Sequence, residues 1–396
     1  MKIKNLILLI PFFLMGCQVE KSRSVKVDLP VIDISKQYPK EEICLQDIAE
    51  SEYIPLETTD DILLSGMATL SAVTDKYILI HEPRRGDIFV FDRTGKLYSH
   101  FNHLGQSGQE YSWIKTGTIL DEKKEEIYVC SQSVQVYSLK GEYRRTLKIN
   151  TFEYNMKIFN FNDESLLIYE DVIIDSGREN ETKKDPYRLV SKKDGSLISV
   201  LNIHLPKRYS TRMLKKVDNL EQEIYIYYTE NMRYGQDYMI ADISSDTLYH
   251  LSPDKGLTPL LTRTPSVHAS EPRTIWFTEL TTDKFVIIGS FPISFSGGGK
   301  IPFLKYEFET GKISRVSFLD AEYGMDIWEY GSSSAIAKNM TANLIQATSI
   351  LKAYEKKQLK GNAEEFIGTL NENDNPVVRV VIFKEEKECS NVPIQQ

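Results

Sequence analysis

Short apolar segments recur along this sequence in groups, and each group begins about fifty residues after the one before. In the first group, Tyr77-Ile78-Leu79-Ile80 and Asp87-Ile88-Phe89-Val90-Phe91-Asp92 precede a turn at Gly95 and a third segment. Four more groups follow in the same order, and we expect the turn before their last strand at residues 141, 195, 246 and 311. A repeat of this length is typical of one four-stranded antiparallel sheet per group, which is the blade of a β-propeller.

The two ends of the sequence provide the strands that a closed ring still needs. One blade cannot bury both of its faces alone, so blades must stack around a complete circle. Residues 377–383 are an apolar run interrupted only by Arg379, and residues 51–56 contain Pro55, which suits an outer edge. We therefore predict an all-β, six-bladed β-propeller of four-stranded antiparallel blades over residues 46–396, closed by these N- and C-terminal strands. A seven-bladed ring is the alternative, and the sequence contains too few strands for it.

One stretch near the C-terminus has helical periodicity instead. Met340, Leu344, Thr348, Leu351 and Tyr354 recur at the spacing of one helix face, and a glycine ends the stretch. We predict an amphipathic helix at about residues 340–360, inserted into the last blade. Its apolar face either packs against the propeller or docks a partner.

The N-terminus has the features of a secretory signal. Two lysines precede a ten-residue apolar run from Leu6 to Met15, which is too short to span a bilayer as a helix. The run ends in Leu14-Met15-Gly16-Cys17, and this ending resembles a bacterial lipobox. The resemblance implies removal of residues 1–16 and attachment of several acyl chains at Cys17, which anchors a protein stably to a membrane. A plain signal peptide with an incidental cysteine is the alternative.

Residues 17–45 are expected to be the lipidated cysteine and a polar tether that leads to the propeller. Gln18 follows the cysteine, and it is not the aspartate that commonly retains lipoproteins in the inner membrane. We therefore expect a protein of the cell envelope, anchored in the outer membrane, on a face of that membrane that the sequence leaves open.

Composition and cysteine spacing argue against several other classes of protein. The sequence has 48 Lys and Arg against 56 Asp and Glu, and a net charge of −8 argues against nucleic acid as a partner. Cys44, Cys130 and Cys389 match neither a disulfide framework nor a zinc site, and we expect Cys130 to be a small buried side chain. The six histidines include no His-Glu-x-x-His motif. We predict no metal ligands and no resident cofactor.

Five motifs resemble the bacterial six-bladed β-propeller lipoproteins of Bacteroidetes, which are distant relatives of NHL-repeat and TolB-like propellers. They are the lipobox, Tyr53-Ile54-Pro55-Leu56-Glu57-Thr58, Ile88-Phe89-Val90-Phe91-Asp92 with Gly95-Lys96, Gly105-Gln106-Ser107-Gly108-Gln109-Glu110-Tyr111, and Asn375-Pro376-Val377-Val378. The resemblance covers nearly the whole chain and implies the fold. It implies little about activity, because the family has no agreed biochemical function. The family's glycine-rich segment usually has Gly-Pro-Gly where this chain has Ser107, Gly108 and Gln109, which weakens a ligand role for that loop.

Loops on one face of a propeller are the usual place for a ligand. The loops between the second and third strands of each blade surround the mouth of the central channel. Three of the four such loops that the sequence indicates are longer than a tight turn, and long loops on a rigid scaffold tend to carry function. The candidate ligand-binding residues on them are His81, Arg84, Arg85, Glu170, Asp171, Arg233, Tyr234, Phe291 and Phe295.

Mixed charges and aromatic rings on these loops suit a glycan, a peptide or a protein surface. The sequence therefore favours a membrane-anchored binding or scaffold module, and no catalytic residues are predicted. The alternative is a metal-dependent propeller lyase or hydrolase, with calcium or zinc held in the central channel by side chains from several blades. Bound metal in the purified protein would favour this second hypothesis.

Overall fold

The computed structural model describes thirteen segments of the chain. They are residues 28–149, 156–170, 186–203, 205–209, 212–217, 220–225, 231–234, 237–293, 301–323, 325–326, 334–337, 339–365 and 367–384. Within these residues, six sheets follow one another around a central channel, and the four blade strands of each sheet are antiparallel. The architecture is the six-bladed β-propeller that the repeat predicts.

The first blade begins after an N-terminal segment of three strands and a short helix. This segment contains β1 (Val31–Asp33), β2 (Lys40–Cys44), α1 (Leu45–Ile48) and β3 (Ala49–Pro55). Blade 1 contains β4 (Thr69–Val73), β5 (Tyr77–His81), β6 (Asp87–Asp92) and β7 (Leu97–Asn102). Blade 2 contains β8 (Gly117–Asp121), β9 (Glu126–Cys130), β10 (Val134–Ser138) and β11 (Tyr143–Leu147). Blade 3 contains β12 (Met156–Asn160), β13 (Ser165–Glu170), β14 (Tyr187–Ser191) and β15 (Leu197–Val200).

The remaining blades follow a separate hairpin of β16 (Arg212–Val217) and β17 (Leu220–Tyr225). Blade 4 contains β18 (Asn231–Tyr234), β19 (Asp237–Ile240), β20 (Thr247–Ser252) and β21 (Gly256–Thr264). Blade 5 contains β22 (Thr274–Thr281), β23 (Phe285–Pro292), β24 (Phe303–Glu307) and β25 (Ile313–Asp320), which also pairs with β26 (Met325–Asp326). Blade 6 contains β27 (Ser334–Ala337), β28 (Met340–Ile345), β29 (Val377–Phe383) and β3. Between β28 and β29 lie α2 (Ala347–Glu355), α3 (Asn362–Glu365) and a 3-10 turn (Ile367–Thr369).

Both faces of each blade are apolar because each face packs against a different neighbour. In blade 1, Ile78 and Ile80 belong to an apolar cluster that they share with Val378 and Val380 of blade 6. Leu79, between them in the sequence, belongs to the cluster shared with blade 2. Side chains alternate between the faces of a strand, so a strand between two neighbours requires an unbroken apolar run. The same arrangement recurs at all six contacts between neighbouring blades.

The ring closes where β3 from the N-terminal segment joins β29 near the C-terminus. The two strands are antiparallel over their full length, from Ala49 opposite Phe383 to Pro55 opposite Val377. β3 is the outermost strand of blade 6, an edge position that tolerates proline. The prediction that the two chain ends complete the sixth blade is confirmed.

The strands that precede β3 lie outside the neighbouring blades. β1 adds to blade 4 as a parallel strand, with Ile32 opposite Arg263 of β21, and β2 adds in the same way to blade 5. Because β1, β2 and β3 begin at residues 31, 40 and 49, the chain advances by one blade every nine residues. Ile32 is fully buried, so this segment is packed structure although the sequence analysis placed the start of the propeller at residue 46. We call residues 31–55 the N-terminal arm.

The fourth blade lies one strand further along the chain than the sequence analysis placed it. The turn before its outer strand is at Gly256 rather than at residue 246, because residues 247–252 form the third strand. Gly256 has a φ of +69°, and the glycines at the corresponding turns of blades 1 to 3 all have a φ of +84°. This backbone conformation favours glycine, and no glycine occurs at residue 246.

The predicted helix is shorter than residues 340–360. Met340 and Leu344 belong to β28, and α2 begins only at Ala347. Positions four apart share a face in a strand as well as in a helix, so their spacing did not discriminate between the two. Ile350 is fully buried in a cluster with residues of blades 5 and 6, whereas Tyr354 is 46% exposed. The helix packs against the propeller mainly through Ala347 and Ile350, and Leu351 of the predicted face also packs against this cluster.

Three of the motif segments behind the family resemblance meet where the ring closes. The Glu57 backbone N–H donates to the Gly95 carbonyl oxygen at 2.8 Å, and a Cβ atom on Gly95 would lie 2.0 Å from the Pro55 carbonyl oxygen. Asn375 is buried, and its Oδ1 accepts from the Leu64 backbone N–H at 2.8 Å while its Nδ2 donates to the Glu57 carbonyl oxygen at 2.8 Å. These motif residues hold blade 6 against blade 1.

We expect Gly95→Ala to lower the free energy of unfolding by more than Gly256→Ala does. Both glycines have positive φ, so alanine costs about 1–2 kcal/mol in backbone strain at either position. The new methyl group overlaps the Pro55 carbonyl oxygen only at Gly95, because nothing lies within 4 Å of a Cβ atom at Gly256. Urea unfolding followed by tryptophan fluorescence compares the two variants. Equal losses of stability would contradict tight closure at Gly95.

Candidate functional site

His81, the first of the predicted site residues, is buried at the end of β5 beside the innermost strand. Its Nδ1 lies 2.7 Å from the hydroxyl oxygen of Ser71 on β4, and that oxygen lies 2.7 Å from Thr118 Oγ1 on β8 of blade 2. Burial lowers the pKa of His81 to about 4, so the ring is neutral at physiological pH and a weak base. These three side chains connect blades 1 and 2 next to the channel.

The loop after His81 carries two arginines with different surroundings. Arg85 is held by carboxylates, because its Nε lies 3.0 Å from Glu82 Oε2 and 3.2 Å from Asp87 Oδ2. Both carboxylates are buried and need a cation nearby. Arg84 is exposed and makes no ion pair with any other residue in the described ranges. Of the two arginines, Arg84 is the one available to a ligand on the loop face.

Glu170 lies inside the protein at the end of β13. Its side chain is buried, and Arg188 Nη2 lies 2.6 Å from Glu170 Oε2. Arg208 Nη2 donates to the Glu170 carbonyl oxygen at 2.6 Å. The carboxylate therefore has a structural partner.

Phe291 on β23 is partly buried, with its ring centre 5.9 Å from that of Phe277.

The other predicted site residues do not complete a cluster on the loop face. Asp171 and Phe295 lie outside the described residues. Arg233 and Tyr234 belong to β18, so their backbone lies in the innermost strand of blade 4 rather than on a second-to-third loop. This difference follows from the offset of the fourth blade. Within the described part of the chain, the predicted residues are thus distributed between the interior and the loops.

The glycine-rich loop that leads from blade 1 to blade 2 is held by its own contacts. Tyr111 is fully buried, and its hydroxyl donates to the Gly86 carbonyl oxygen at 2.7 Å. Glu110 Oε2 accepts from the Ser107 backbone N–H at 2.8 Å, and this bond lowers the pKa of the Glu110 carboxyl. The Tyr137 hydroxyl of blade 2 donates to the Gln109 carbonyl oxygen at 2.6 Å. These bonds account for the loop's shape without a ligand.

Two innermost strands carry an extra residue at the same level of the channel wall. The pairing of β4 with β5 skips Ser71, and the pairing of β22 with β23 skips Glu279. In both blades the skipped residue falls between the partners of the third and fourth residues of the second strand. These residues are Leu79 and Ile80 in blade 1, and Ile287 and Ile288 in blade 5. Such a β-bulge redirects a side chain and is common next to functional sites. Because innermost strands line the channel, the bulges mark one level of its wall.

Glu279 is the titratable group with the most unusual surroundings at this level. The residue is only partly exposed, and burial raises the pKa of its carboxyl group to about 7. No cation or hydrogen-bond donor among the described residues contacts this carboxyl, and burial alone accounts for the shift. Near neutral pH it is divided between a proton-donating form and a charged, accepting form. A perturbed carboxyl group in a channel is a candidate functional group.

Neither Ser71 nor Glu279 is among the site residues predicted from the sequence. The segment Thr274-Ile275-Trp276-Phe277-Thr278-Glu279-Leu280-Thr281 contains one charged residue in an otherwise apolar or neutral strand, which was an available signal. Ser71 carries no comparable signal in Thr69-Leu70-Ser71-Ala72-Val73. The shift in strand pairing at each of these residues depends on the partner strand.

Two further predictions concern metal ligands and the cysteines. Among the described residues, no three or more His, Cys, Asp or Glu side chains lie close enough together to hold a metal ion. Cys44 and Cys130 are free thiols. Cys130 is buried in the contact between blades 2 and 3, as predicted, and burial raises its pKa to about 12. Cys389 lies outside the described residues.

We expect Glu279→Gln to remove part of the pH dependence of stability. Burial raises the pKa of Glu279 from 4.5 to about 7, so the folded state holds the proton more tightly than the unfolded chain. The resulting stabilisation is fully present below pH 4.5 and is lost as the pH rises through about 7, by an amount on the order of 3 kcal/mol. Urea unfolding between about pH 5 and about pH 8 measures this loss, with the exposed Glu309→Gln as the control. A wild-type profile that Glu279→Gln leaves unchanged would show that this carboxyl is not buried.

Solved structures share this fold at low sequence identity. A protein of Bacteroides fragilis NCTC 9343, provisionally named an exported protein, has a TM-score of 0.56 and 14% identity over 90% of this chain and 100% of that chain. A member of the DUF4221 family from Bacteroides vulgatus ATCC 8482 has a TM-score of 0.42 and 9% identity over 85% of this chain and 97% of that chain. At 14% identity, the first likeness shows the fold alone.

No curated protein sequence matches this chain. The sequence model of one family, described as a domain of unknown function, DUF4934, matches residues 29–382. The match includes the N-terminal arm and all six blades except the last residue of β29, so it covers the complete ring rather than a few blades. The chain therefore belongs to the DUF4934 family.

Proposed function

We propose that this protein is an exported, lipid-anchored binding module that holds an uncharged, hydroxyl-rich ligand, such as a glycan, in its central channel. The observation that carries the proposal is the pair of bulges that place Ser71 and Glu279 at one level of the channel wall. A hydroxyl group and a carboxyl group with a pKa of about 7 supply both donors and acceptors. Saccharide hydroxyl groups require this mixture.

The surroundings of Ser71 favour recognition of a hydroxyl group over chemistry on it. Ser71 lies within hydrogen-bond distance of both His81 and Thr118, which fix the position of its oxygen. His81 has a pKa of about 4 and is too weak a base to activate the serine near neutral pH. The oxygen is therefore a fixed hydrogen-bonding group rather than a nucleophile.

The loop face offers fewer unpaired charges than the sequence suggests. Arg85 is paired with two carboxylates, and Glu170 is paired with Arg188. A strongly charged ligand would have to compete with these internal partners. An uncharged ligand in the channel avoids that competition.

Export and anchoring rest on the N-terminal sequence and on one structural neighbour. The signal-like residues 1–16, Cys17 and Gln18 support attachment to the outer membrane. The Bacteroides fragilis neighbour is provisionally named an exported protein. No helix among the described residues is long and apolar enough to cross a bilayer.

A glycan array followed by calorimetry on the best ligand tests the binding proposal. We expect Glu279→Ala and Ser71→Ala each to weaken binding about 10- to 100-fold, since one hydrogen bond to a charged or fixed partner contributes about 1.5–3 kcal/mol. Arg84→Ala is the matched control on the loop face and should leave the affinity unchanged. Loss of binding in Arg84→Ala, with normal binding in Glu279→Ala, would move the site to the loops. Binding of peptides alone would overturn the glycan assignment.

Metal analysis of the same purified protein tests the enzymatic alternative. We expect no stoichiometric calcium or zinc when chelators and a histidine tag are both avoided. Near-stoichiometric metal that is lost in Glu279→Ala would instead favour a metal-dependent lyase or hydrolase with its site in the channel.

Cys17→Ser tests the anchor separately from the ligand. We expect the variant to lose incorporation of an alkyne-labelled fatty acid and to leave the membrane fraction, because the acyl chains provide the membrane affinity. Cys44→Ser, at a free thiol in the N-terminal arm, is the control. Unchanged labelling of Cys17→Ser would show that residue 17 is not acylated.

A further inference from the structure

The N-terminal arm follows the rim of the propeller in the order of the blades. Its strands β1, β2 and β3 lie outside blades 4, 5 and 6 respectively. β1 and β2 are parallel to the outer strands β21 and β25 of these blades. Because the arm joins blades 4, 5 and 6 in this order, it advances in the direction in which the blades follow one another. One step back in this order is blade 3.

The outer strand of blade 3 is the most apolar free edge in the described structure. On β15, Leu197 is 60% exposed, Ile198 is 52% exposed and Val200 is 41% exposed. Among the described residues, β15 pairs only with β14, so its outer side has no strand. A free edge with apolar side chains is a site for strand addition.

In blade 4, an arm strand covers the equivalent edge. The pairing of the third with the fourth strand skips one outer-strand residue in each of blades 1 to 4: Tyr98, Arg144, Ile198 and Leu260. Leu260 packs in the cluster that contains Ile32 of the arm. Ile198 is the other aliphatic residue at this position, and it is exposed. Blade 3 thus has the edge that an arm strand covers in blade 4.

The sequence before β1 has the pattern of an edge strand. Val25 and Val27 alternate with Lys26 and Asp28, and residues 18–27 contain neither glycine nor proline. Lysine is common on outer edges because it discourages pairing with other chains. The nine-residue step of the arm places the preceding strand one step before residue 31, which is residue 22.

We propose that residues 22–27 bind along β15 as an additional parallel strand outside blade 3. The arm then covers four consecutive blades, and Val25 and Val27 cover the exposed side chains of β15. The occupant is this chain's own N-terminal segment rather than a second copy, because the segment is continuous with the arm and blade 3 is the next blade back in the order that the arm follows.

Amide hydrogen exchange on the full-length protein in detergent tests the proposal. We expect Val25→Asp/Val27→Asp to speed exchange in the peptide that contains residues 197–203 by tenfold or more. Exchange in β11, which has no arm strand, should be unchanged, and this peptide also reports that the ring stays folded. Val19→Asp/Lys21→Gln changes the net charge by the same amount outside the proposed strand, leaves Gln18 in place, and is the matched control.

Two results would overturn the proposal. Equal exchange of residues 197–203 in the wild type and both variants would show that residues 22–27 do not bind there. Protection that falls on dilution, together with a dimer in light scattering, would assign the edge to a second copy of the chain. Protection that is independent of concentration and is lost only in Val25→Asp/Val27→Asp supports the intramolecular strand.

Discussion

The structure depends on the requirement that every blade bury two apolar faces. Ile78 and Leu79 are neighbours in the sequence but pack into different blades, and both are fully buried. A blade at an open end would expose one of these faces to water, at a cost of about 25 cal/mol per Å². The ring therefore has to close, and the closing strand β3 comes from the opposite end of the chain. The arm, the seam at Gly95 and the position of Asn375 all follow from this requirement.

Buried ion pairs fix how neighbouring blades sit against each other. Lys192 Nζ of blade 3 lies 2.7 Å from Asp121 Oδ2 of blade 2, and Arg379 Nη2 of blade 6 lies 2.6 Å from Asp320 Oδ2 of blade 5. Apolar faces can slide over one another with little change in buried area, whereas a buried charge needs its partner at one place. In contrast to these pairs, Glu279 has no partner among the described residues. This contrast separates a group that holds the fold together from one that is available to a ligand.

The fold could be predicted from the sequence because the features that specify it are local and recur at a regular spacing. The candidate site could not be predicted in this way. Apolar runs such as residues 77–80 and turn glycines such as Gly95 recur at blade spacing and fix the number of blades. The fourth blade was misplaced where Asp246 resembled a turn before the true one at Gly256. Glu279 depends on a one-residue shift between β22 and β23, and Arg85 and Glu170 depend on partners that only folding supplies. Residue type alone therefore indicated loop charges that the structure pairs internally.

The position of the arm imposes an order on folding during synthesis. Ile32 pairs with β21 at Arg263, and Ala49 pairs with Phe383, so a segment that emerges early has partners that emerge much later. At about 5–20 residues per second, synthesis alone leaves the arm without its partners for ten seconds or more. Blades 1 to 3 can form in sequence during that interval, since their strands are adjacent in the chain. A cell that makes this protein must therefore keep an unpaired, strand-forming segment soluble until the final strand arrives.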